Sequence, residues 1–199
     1  MRILLVGASG TIGSAVYERL RDDHDILCAG RNGRDVQVDI TDEDSIRQMY
    51  ESVGRVDAVI TASGSAGFAP LTELTPEKNQ TAINSKMKGQ INLVLLGIPY
   101  VNDGGSFTLT SGVMMDDPIP QGTSAAMANG AVKSFVTSAA IELPRGIRIN
   151  NISPNLLVES AEKLGSFFRG FAPVPGEKVA LAYQKSVEGQ QTGQTYEVY

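Results

Sequence analysis

The chain has 199 residues, of which 42% are hydrophobic, and these values suit a single domain of residues 1–199 with a sizeable core. Its formal charge of −5 and isoelectric point near 4.9 exclude nucleic acid and anionic membranes as main partners, because no basic cluster offsets the repulsion. No apolar run is long enough to span a membrane and no signal-peptide pattern opens the chain, so we expect a cytoplasmic protein.

The first turn of the chain organises the rest. The apolar run 2–6 predicts a buried parallel strand, the segment 14–21 predicts a helix, and GASGTIG lies between them. Gly7 permits a tight turn, Gly10 lets a phosphate approach the backbone, and Gly13 allows close contact between helix and strand. Unpaired N–H groups at the helix start favour an anion. The turn predicts a dinucleotide pyrophosphate site formed by Gly7, Ser9, Gly10, Thr11, Ile12 and Gly13.

Strand and helix patterns then alternate along the chain. Further strands are expected at 25–29, 36–40, 56–61, 106–110, 147–152 and 195–198. Helices are expected at 41–53, from Thr75-Pro76 to Pro99, at 124–143 and at 177–186. This order predicts a Rossmann-type doubly wound α/β fold, with a mainly parallel seven-stranded sheet and helices on both faces. Ligands of such sheets bind at the carboxyl ends of the strands.

Several segments together resemble the short-chain dehydrogenase/reductase family, in the family's order and over nearly the whole chain. They are GASGTIG, DAVITASG, MKGQINLVLLGIPY, GAVKSFVTSAAIEL, PRGIRINNISPN and QTGQTYEVY. The resemblance implies an oxidoreductase that uses NAD(P)(H) on a small carbonyl or alcohol substrate. It also implies a homo-oligomer formed through the long helices. By the same resemblance, further cofactor-binding residues are Asp39, Ile40, Ala62, Ser63, Gly64 and Pro154. A residue at the start of the following helix is the alternative interpretation of Asp39.

The second expected strand is followed by Gly30-Arg31-Asn32, where an acidic residue would hydrogen-bond the ribose hydroxyls and repel a 2′-phosphate. An arginine there favours NADP(H) over NAD(H), which remains the alternative, because a guanidinium pairs with phosphate. Ser9 and Arg34 are candidate helpers. A solvated arginine in a turn is the plainer interpretation of Arg31.

The resemblance breaks at the catalytic positions. The family's helix after Tyr-x-x-x-Lys aligns with Gly130 to Leu143, which puts Ala125 at the tyrosine and Asn129 at the lysine. In the family the tyrosine is the acid/base, whereas alanine has no proton to give. Strict spacing puts Gly112 at the family's serine, and a slip of one residue would restore Ser111.

A different lysine is a candidate for the missing chemistry. Aligning the long helix on Gly89 and Pro99 puts Lys86 at the family's active-site asparagine, although Asn84 lies two residues earlier. A desolvated ammonium can act as a proton donor, polarise a carbonyl or hold a ribose. A solvated surface lysine is the plainer alternative.

Three phenylalanines, Phe167, Phe168 and Phe171, lie in the segment that covers substrate in the family. An apolar lid or a subunit contact would suit them.

The sequence leaves two functional hypotheses. One is an NADP(H)-dependent oxidoreductase with Lys86 and Ser111 as catalytic candidates, and the other is a dinucleotide-binding sensor or partner subunit without turnover. No metal site is expected.

Overall fold

The computed structural model describes residues 1–199. Seven strands form one sheet: β1 (Arg2–Val6), β2 (Asp25–Gly30), β3 (Val36–Gln37), β4 (Val56–Thr61), β5 (Val101–Thr110), β6 (Arg148–Pro154) and β7 (Thr195–Val198). The α-helices are α1 (Thr11–Leu20), α2 (Glu43–Val53), α3 (Pro76–Thr81), α4 (Gln90–Gly97), α5 (Thr123–Ala139), α6 (Ala161–Leu164) and α7 (Gly176–Glu188). No helix is both long and apolar enough to cross a bilayer.

All strands are parallel and their order is β3-β2-β1-β4-β5-β6-β7. The strands β2 and β3 lie on one side of β1, and the strands β4 to β7 lie on its other side. The order of the strands therefore reverses between β3 and β4. This reversal opens a crevice at the carboxyl ends of β1 and β4. The predicted fold class, a doubly wound parallel sheet, is confirmed.

The sheet separates two apolar layers, because successive side chains of a strand point to opposite faces. On β1, Leu4 and Val6 pack on one face with Tyr50 and Phe107. A second layer on the other face contains Ile3, Leu5, Ile60 and Tyr183. A third, smaller cluster of Val113, Ile119, Leu156 and Phe168 lies apart from both layers.

The third strand is shorter than the sequence predicts. It ends at Gln37, and Asp39 and Ile40 lie in the connection to α2 rather than at a strand end. The Asp39 carboxylate accepts hydrogen bonds from the backbone N–H and the hydroxyl of Thr41, at 2.9 and 2.8 Å. This local turn competes with a longer strand, since Asp side chains offer the backbone alternative partners.

The long helix is not one regular helix. Between α3 and α4, residues Ala82–Gly89 form a π-helical segment, which the apolar period did not predict. Gly89 allows this turn to approach the preceding chain, because a Cβ there would lie 2.9 Å from the Ile40 side chain. π-Helical turns occur frequently at functional sites, and this one carries Lys86.

Candidate active site

The glycine turn brings three chain segments into close contact. Gly7 adopts φ +92°, and a Cβ there would lie 2.7 Å from the Ala62 carbonyl oxygen. A Cβ on Gly13 would lie 2.0 Å from the Gly7 carbonyl oxygen. Gly10 is the N-cap of α1 and no side chain caps the helix there, so the helix start presents backbone N–H groups without a side-chain acceptor.

The first cavity, of about 340 Å³, lies beside this turn at the carboxyl ends of β1, β2 and β4. Its predicted members are Gly7, Ser9, Gly10, Arg31, Asp39, Ile40, Ala62, Ser63 and Gly64. The sequence did not predict Val6, Gly30, Asn32, Val38, Thr41, Ser65 and Ser85, which complete the wall. Several of these neighbour predicted residues in sequence, and that proximity is the signal that could have found them.

Two predicted residues of the turn lie elsewhere. Thr11 lines a shallow depression together with Ser14, Glu18 and Glu159. Gly13 is buried against Gly7, so its role is to allow the turn rather than to form a cavity wall.

The second cavity, of about 280 Å³, meets the first at Gly64. Its wall includes Ile12, Ala66, Phe68, Lys86, Ser111, Gly112, Val113, Met114, Ala125, Asn129, Pro154, Asn155, Leu156, Leu157, Ser160, Leu164 and Phe168. Of these, the sequence predicted Ile12 and Pro154 as cofactor contacts and Lys86 and Ser111 as catalytic candidates. Lys86 is the one acidic or basic side chain in this wall.

The Lys86 side chain turns into the fold and is only partly exposed. Its Nζ donates a hydrogen bond to the Ser111 carbonyl oxygen at 3.1 Å, at the carboxyl end of β5. The backbone of Lys86 packs on Gly64, where a Cβ would lie 2.9 Å from the Lys86 Cα. Burial lowers the pKa of the Lys86 ammonium to about 8, because the charged form loses hydration. An ammonium with this pKa can donate a proton near neutral pH.

A buried glutamine fixes the segment that carries Lys86. The Gln90 Nε2 donates to the Thr110 carbonyl at 2.8 Å and to the Lys86 carbonyl at 3.0 Å. Its Oε1 accepts from the Thr110 backbone N–H at 2.8 Å. The amide therefore ties the π-helical turn to the end of β5. The signal for this role in the sequence is a glutamine one helical turn after Lys86, at the start of an apolar helical segment.

The hydroxyl of Ser111 is engaged by β6. It accepts a hydrogen bond from the Asn151 Nδ2 at 2.8 Å and lies 3.4 Å from the Ile152 carbonyl oxygen. Ser111 lines the second cavity, and a catalytic role of its hydroxyl stays a prediction. The Ser111 backbone carbonyl holds Lys86.

Ala125 and Asn129 are buried on α5 and line the second cavity. The Asn129 Nδ2 donates to the Gly112 carbonyl at 3.3 Å, while its Oδ1 has no protein partner. A Cβ on Gly112 would lie 3.2 Å from the Asn129 Nδ2, so glycine gives this amide room. Neither Ala125 nor Asn129 carries an ionisable group.

Aromatic side chains cover the second cavity. Phe68 stacks on Phe167 with ring centroids 5.0 Å apart, and Phe168 meets Phe171 edge to face at 5.5 Å. Of the three predicted lid residues, Phe168 reaches the cavity wall. Phe68, Phe167, Phe168 and Phe171 therefore form packed aromatic pairs at the edge of the second cavity.

A polar network supports the loop after β5. Asp116 pairs with Lys133 of α5 at 2.9 Å and accepts a hydrogen bond from the Tyr199 hydroxyl at 2.9 Å. The same hydroxyl contacts the Ser153 Oγ of β6 at 2.8 Å. This network joins the loop, α5 and the end of the sheet.

Comparison with known proteins identifies the class of protein. A family model described as enoyl-(acyl carrier protein) reductase matches residues 14–191. An uncharacterised oxidoreductase of Methylorubrum extorquens is 26% identical over 179 residues, which cover 78% of this chain and 72% of the relative. A 3-oxoacyl-[acyl-carrier-protein] reductase of Thermotoga maritima is 28% identical over 127 residues, covering 60% of this chain and 52% of that protein.

Solved structures agree with these relatives. The crystal structure of the protein lin1944 from Listeria innocua is 66% identical, covers all of both chains and superposes with a TM-score of 0.99. A small-chain dehydrogenase is 26% identical with a TM-score of 0.86, covering all of this chain and 95% of the other. Another, solved with NADPH, shares the fold at 24% identity and a TM-score of 0.88, covering all of this chain and 96% of the other. The chain belongs to the short-chain dehydrogenase/reductase family of oxidoreductases.

Proposed function

We propose that the protein is an NADP(H)-dependent oxidoreductase that acts on a small carbonyl or alcohol substrate, with Lys86 in place of the family's tyrosine and lysine. The observation that carries this proposal is the Lys86 ammonium, which enters the second cavity at the end of β5 and donates to the Ser111 carbonyl at 3.1 Å. One cation in a mostly apolar cavity suits a reaction in which a substrate oxygen becomes negative.

The residues present fit a dinucleotide. Gly7 and Gly13 form a cradle that a Cβ would fill, and the bare start of α1 suits a pyrophosphate. The first cavity, with Arg31, Asp39, Ile40 and Ala62, would hold the adenosine half. Ile12, Pro154 and Gly64, where the two cavities meet, would hold the nicotinamide half. A small-chain dehydrogenase of the same fold was solved with NADPH, which agrees with this assignment.

When bound, the nicotinamide supplies the hydride, and this chain's residues position the reactants and stabilise charge. The Lys86 ammonium would donate a hydrogen bond to the substrate oxygen and then its proton, for which a pKa of about 8 is suited. The Ser111 carbonyl and the Gln90 amide keep Lys86 in place. Phe68, Met114 and Phe168 would exclude water from the reacting atoms.

The preference for NADP(H) over NAD(H) rests on the turn after β2. Arg31 lines the first cavity there. Positions 30–32 hold glycine, arginine and asparagine, so none of them is acidic. We further propose a single domain that forms a homo-oligomer. Val94, Leu95, Ile98 and Phe135 line an apolar groove between α4 and α5, which agrees with contacts through those helices.

A second candidate function is dinucleotide binding without turnover. It is favoured by Ala125 and Asn129, the residues by which α5 lines the second cavity, because neither carries an ionisable group. The two candidates are separated by assaying purified protein for NADPH oxidation with a panel of aldehydes and ketones, alongside a fluorescence titration with NADPH. Turnover with any carbonyl compound supports the oxidoreductase. Tight NADPH binding without turnover across the panel supports the binding protein.

A further inference from the structure

One buried acceptor in the wall of the second cavity has no protein partner. Asn129 of α5 is 1% exposed, and its Oδ1 accepts no hydrogen bond from the protein. The other buried side-chain atoms without a partner belong to His24, Ser106 and Asn151, none of which lines the first or the second cavity. Because nearly all buried polar groups of folded proteins have a partner, the Asn129 Oδ1 suits a donor that a ligand of this cavity supplies.

The hydrogen bond to Gly112 fixes the orientation of the Asn129 amide. The Asn129 Nδ2 donates to the Gly112 carbonyl oxygen at 3.3 Å. The opposite orientation would set the Oδ1 against that carbonyl, so that two acceptors would face each other. The side chain therefore offers an acceptor, and not a donor, to a ligand.

Ala125 leaves space beside this amide. Ala125 and Asn129 lie four residues apart on α5, so they share one face of the helix, and both line the second cavity. The alanine methyl group fills little of that face. A substrate group can therefore approach Asn129 over Ala125.

The Lys86 donor and the Asn129 acceptor are held by neighbouring backbone carbonyls. The Lys86 ammonium donates to the Ser111 carbonyl at 3.1 Å, and the Asn129 amide donates to the carbonyl of the next residue, Gly112. Consecutive Cα atoms lie about 3.8 Å apart. One small molecule can therefore meet both side chains.

The other polar side chains of the wall are less suited to this role. Both groups of the Asn155 amide have protein partners, and the Ser111 hydroxyl accepts from the Asn151 Nδ2 at 2.8 Å. Ser160, directly before α6, is the remaining hydroxyl. No acidic side chain lines the cavity, so a cationic substrate would face Lys86 without a counter-charge.

We propose that the second cavity takes an uncharged hydroxy ketone or hydroxy aldehyde, and that Asn129 is the residue that selects it. The substrate carbonyl accepts a hydrogen bond from Lys86, and the neighbouring hydroxyl donates one to the Asn129 Oδ1. Val113, Leu156 and Phe168 contact the hydrocarbon part. This inference rests on the proposed oxidoreductase function and names the substrate class of the same site.

The test compares three ketones of one skeleton: α-hydroxyacetophenone, α-methoxyacetophenone and acetophenone. The methoxy compound keeps the second oxygen but has no proton to donate. Each ketone is titrated by ligand-observed NMR into protein saturated with NADP+, a mixture in which no hydride is available to reduce the ketone. The wild type binds the hydroxy ketone about tenfold or more tightly than either other ketone, equivalent to about 1.4 kcal/mol.

Variants assign this selectivity to one side chain. Asn129→Leu has nearly the same size and no acceptor, and it reduces the ratio of the methoxy and hydroxy Kd values to about one. Ser134→Ala, which alters an exposed serine of α5, is the matched control and keeps the wild-type ratio. Ser160→Ala keeps it as well. Thermal melting of each variant checks folding.

Three results overturn the inference while leaving the oxidoreductase intact. The first is a wild-type ratio near one, which requires no variant. The second is loss of the ratio in Ser160→Ala but not in Asn129→Leu. The third is weaker NADP+ binding in Asn129→Leu at an unchanged ratio, which would assign the amide to the cofactor. Failure of the wild type to bind NADP+ and NADPH contradicts the proposed function itself.

Discussion

The two cavities differ in how strongly the sequence determines them. In the first cavity the requirement is one of backbone shape: Gly7 and Gly13 must lack a Cβ, and their neighbours follow from the turn. In the second cavity the requirement is a functional group at a point in space, and a side chain from another element can supply it. There the sequence predicts Ala125 and Asn129 at the family's tyrosine and lysine positions; both residues line this cavity, together with Lys86 from the π-helical segment. We infer that the glycines of the cofactor turn tolerate fewer amino-acid substitutions than the position from which a proton donor is supplied.

The largest expected effect is at Lys86. Lys86→Met keeps the length of the side chain and removes its charge, so turnover of any substrate found falls at least about 100-fold, the typical loss of a charge-stabilising donor. NADPH still binds, because the cradle is intact. Steady-state kinetics and fluorescence titration measure the two effects. Lys88→Met, which alters an exposed lysine of the same segment, is the control and leaves both unchanged.

Unaltered turnover in Lys86→Met would show that Lys86 has no role in the chemical step. A loss of NADPH affinity at unaltered turnover would instead assign Lys86 to the ribose. Either result would contradict the view that the second cavity obtains its proton donor from the π-helical segment.

The next effect tests the backbone requirement of the first cavity. Gly13→Val places carbon atoms where a Cβ alone would lie 2.0 Å from the Gly7 carbonyl oxygen, so the turn must shift. We expect a loss of about 1 to 3 kcal/mol in unfolding free energy, as for other overpacked sites, together with weaker NADPH binding. Urea denaturation and titration measure these. Gly67→Ala, with nothing within 4 Å of the added Cβ, is the control. Full NADPH affinity in Gly13→Val would show that the cradle tolerates change.

Sequence reasoning succeeded where local patterns set the structure. The strand Val56–Thr61 and the strand Thr195–Val198 have the predicted bounds, because apolar runs between turns define them. It failed at Ala82–Gly89, where the helical period continues although the backbone is π-helical. Contacts distant in sequence, such as that between Gln90 and Thr110, hold this turn, and no local pattern shows them. The hydrogen bond from Asn151 of β6 to the Ser111 hydroxyl is another such contact, which joins two residues 40 apart in sequence.

The third effect is a pH dependence of stability caused by Lys86. The folded state lowers the pKa of this lysine from 10.5 to about 8, so between these values the unfolded chain binds more protons and stability rises with pH. At neutral pH the burial of the ammonium costs on the order of 3 kcal/mol, at 1.36 kcal/mol per pKa unit, and less once the partial exposure of the side chain is considered. Lys86→Met is therefore the more stable protein at neutral pH.

This stability difference should shrink as pH rises from about 8 to about 10. Urea denaturation of both proteins at each pH measures it, with Lys88→Met as the control that shows no such trend. A stability difference that is constant with pH would show that Lys86 keeps its ordinary pKa, and proton donation near neutral pH would lose its basis.

The smallest effect concerns the network that supports the loop over the second cavity. The Tyr199 hydroxyl contacts Asp116 at 2.9 Å and Ser153 at 2.8 Å, and burial raises the pKa of Tyr199 to about 12, so the phenol keeps its proton in ordinary buffers. Tyr199→Phe removes both contacts but leaves Asp116 paired with Lys133. We expect a loss of about 1 kcal/mol in unfolding free energy, the net value of such hydrogen bonds, measured by calorimetry.

The matched control is Tyr196→Phe, which loses one exposed contact with Gln191 and lowers the unfolding free energy by less. NADPH affinity stays unchanged in both variants, since neither tyrosine lines the first or the second cavity. A fall in NADPH affinity without a fall in stability would show that the network acts on the cofactor site.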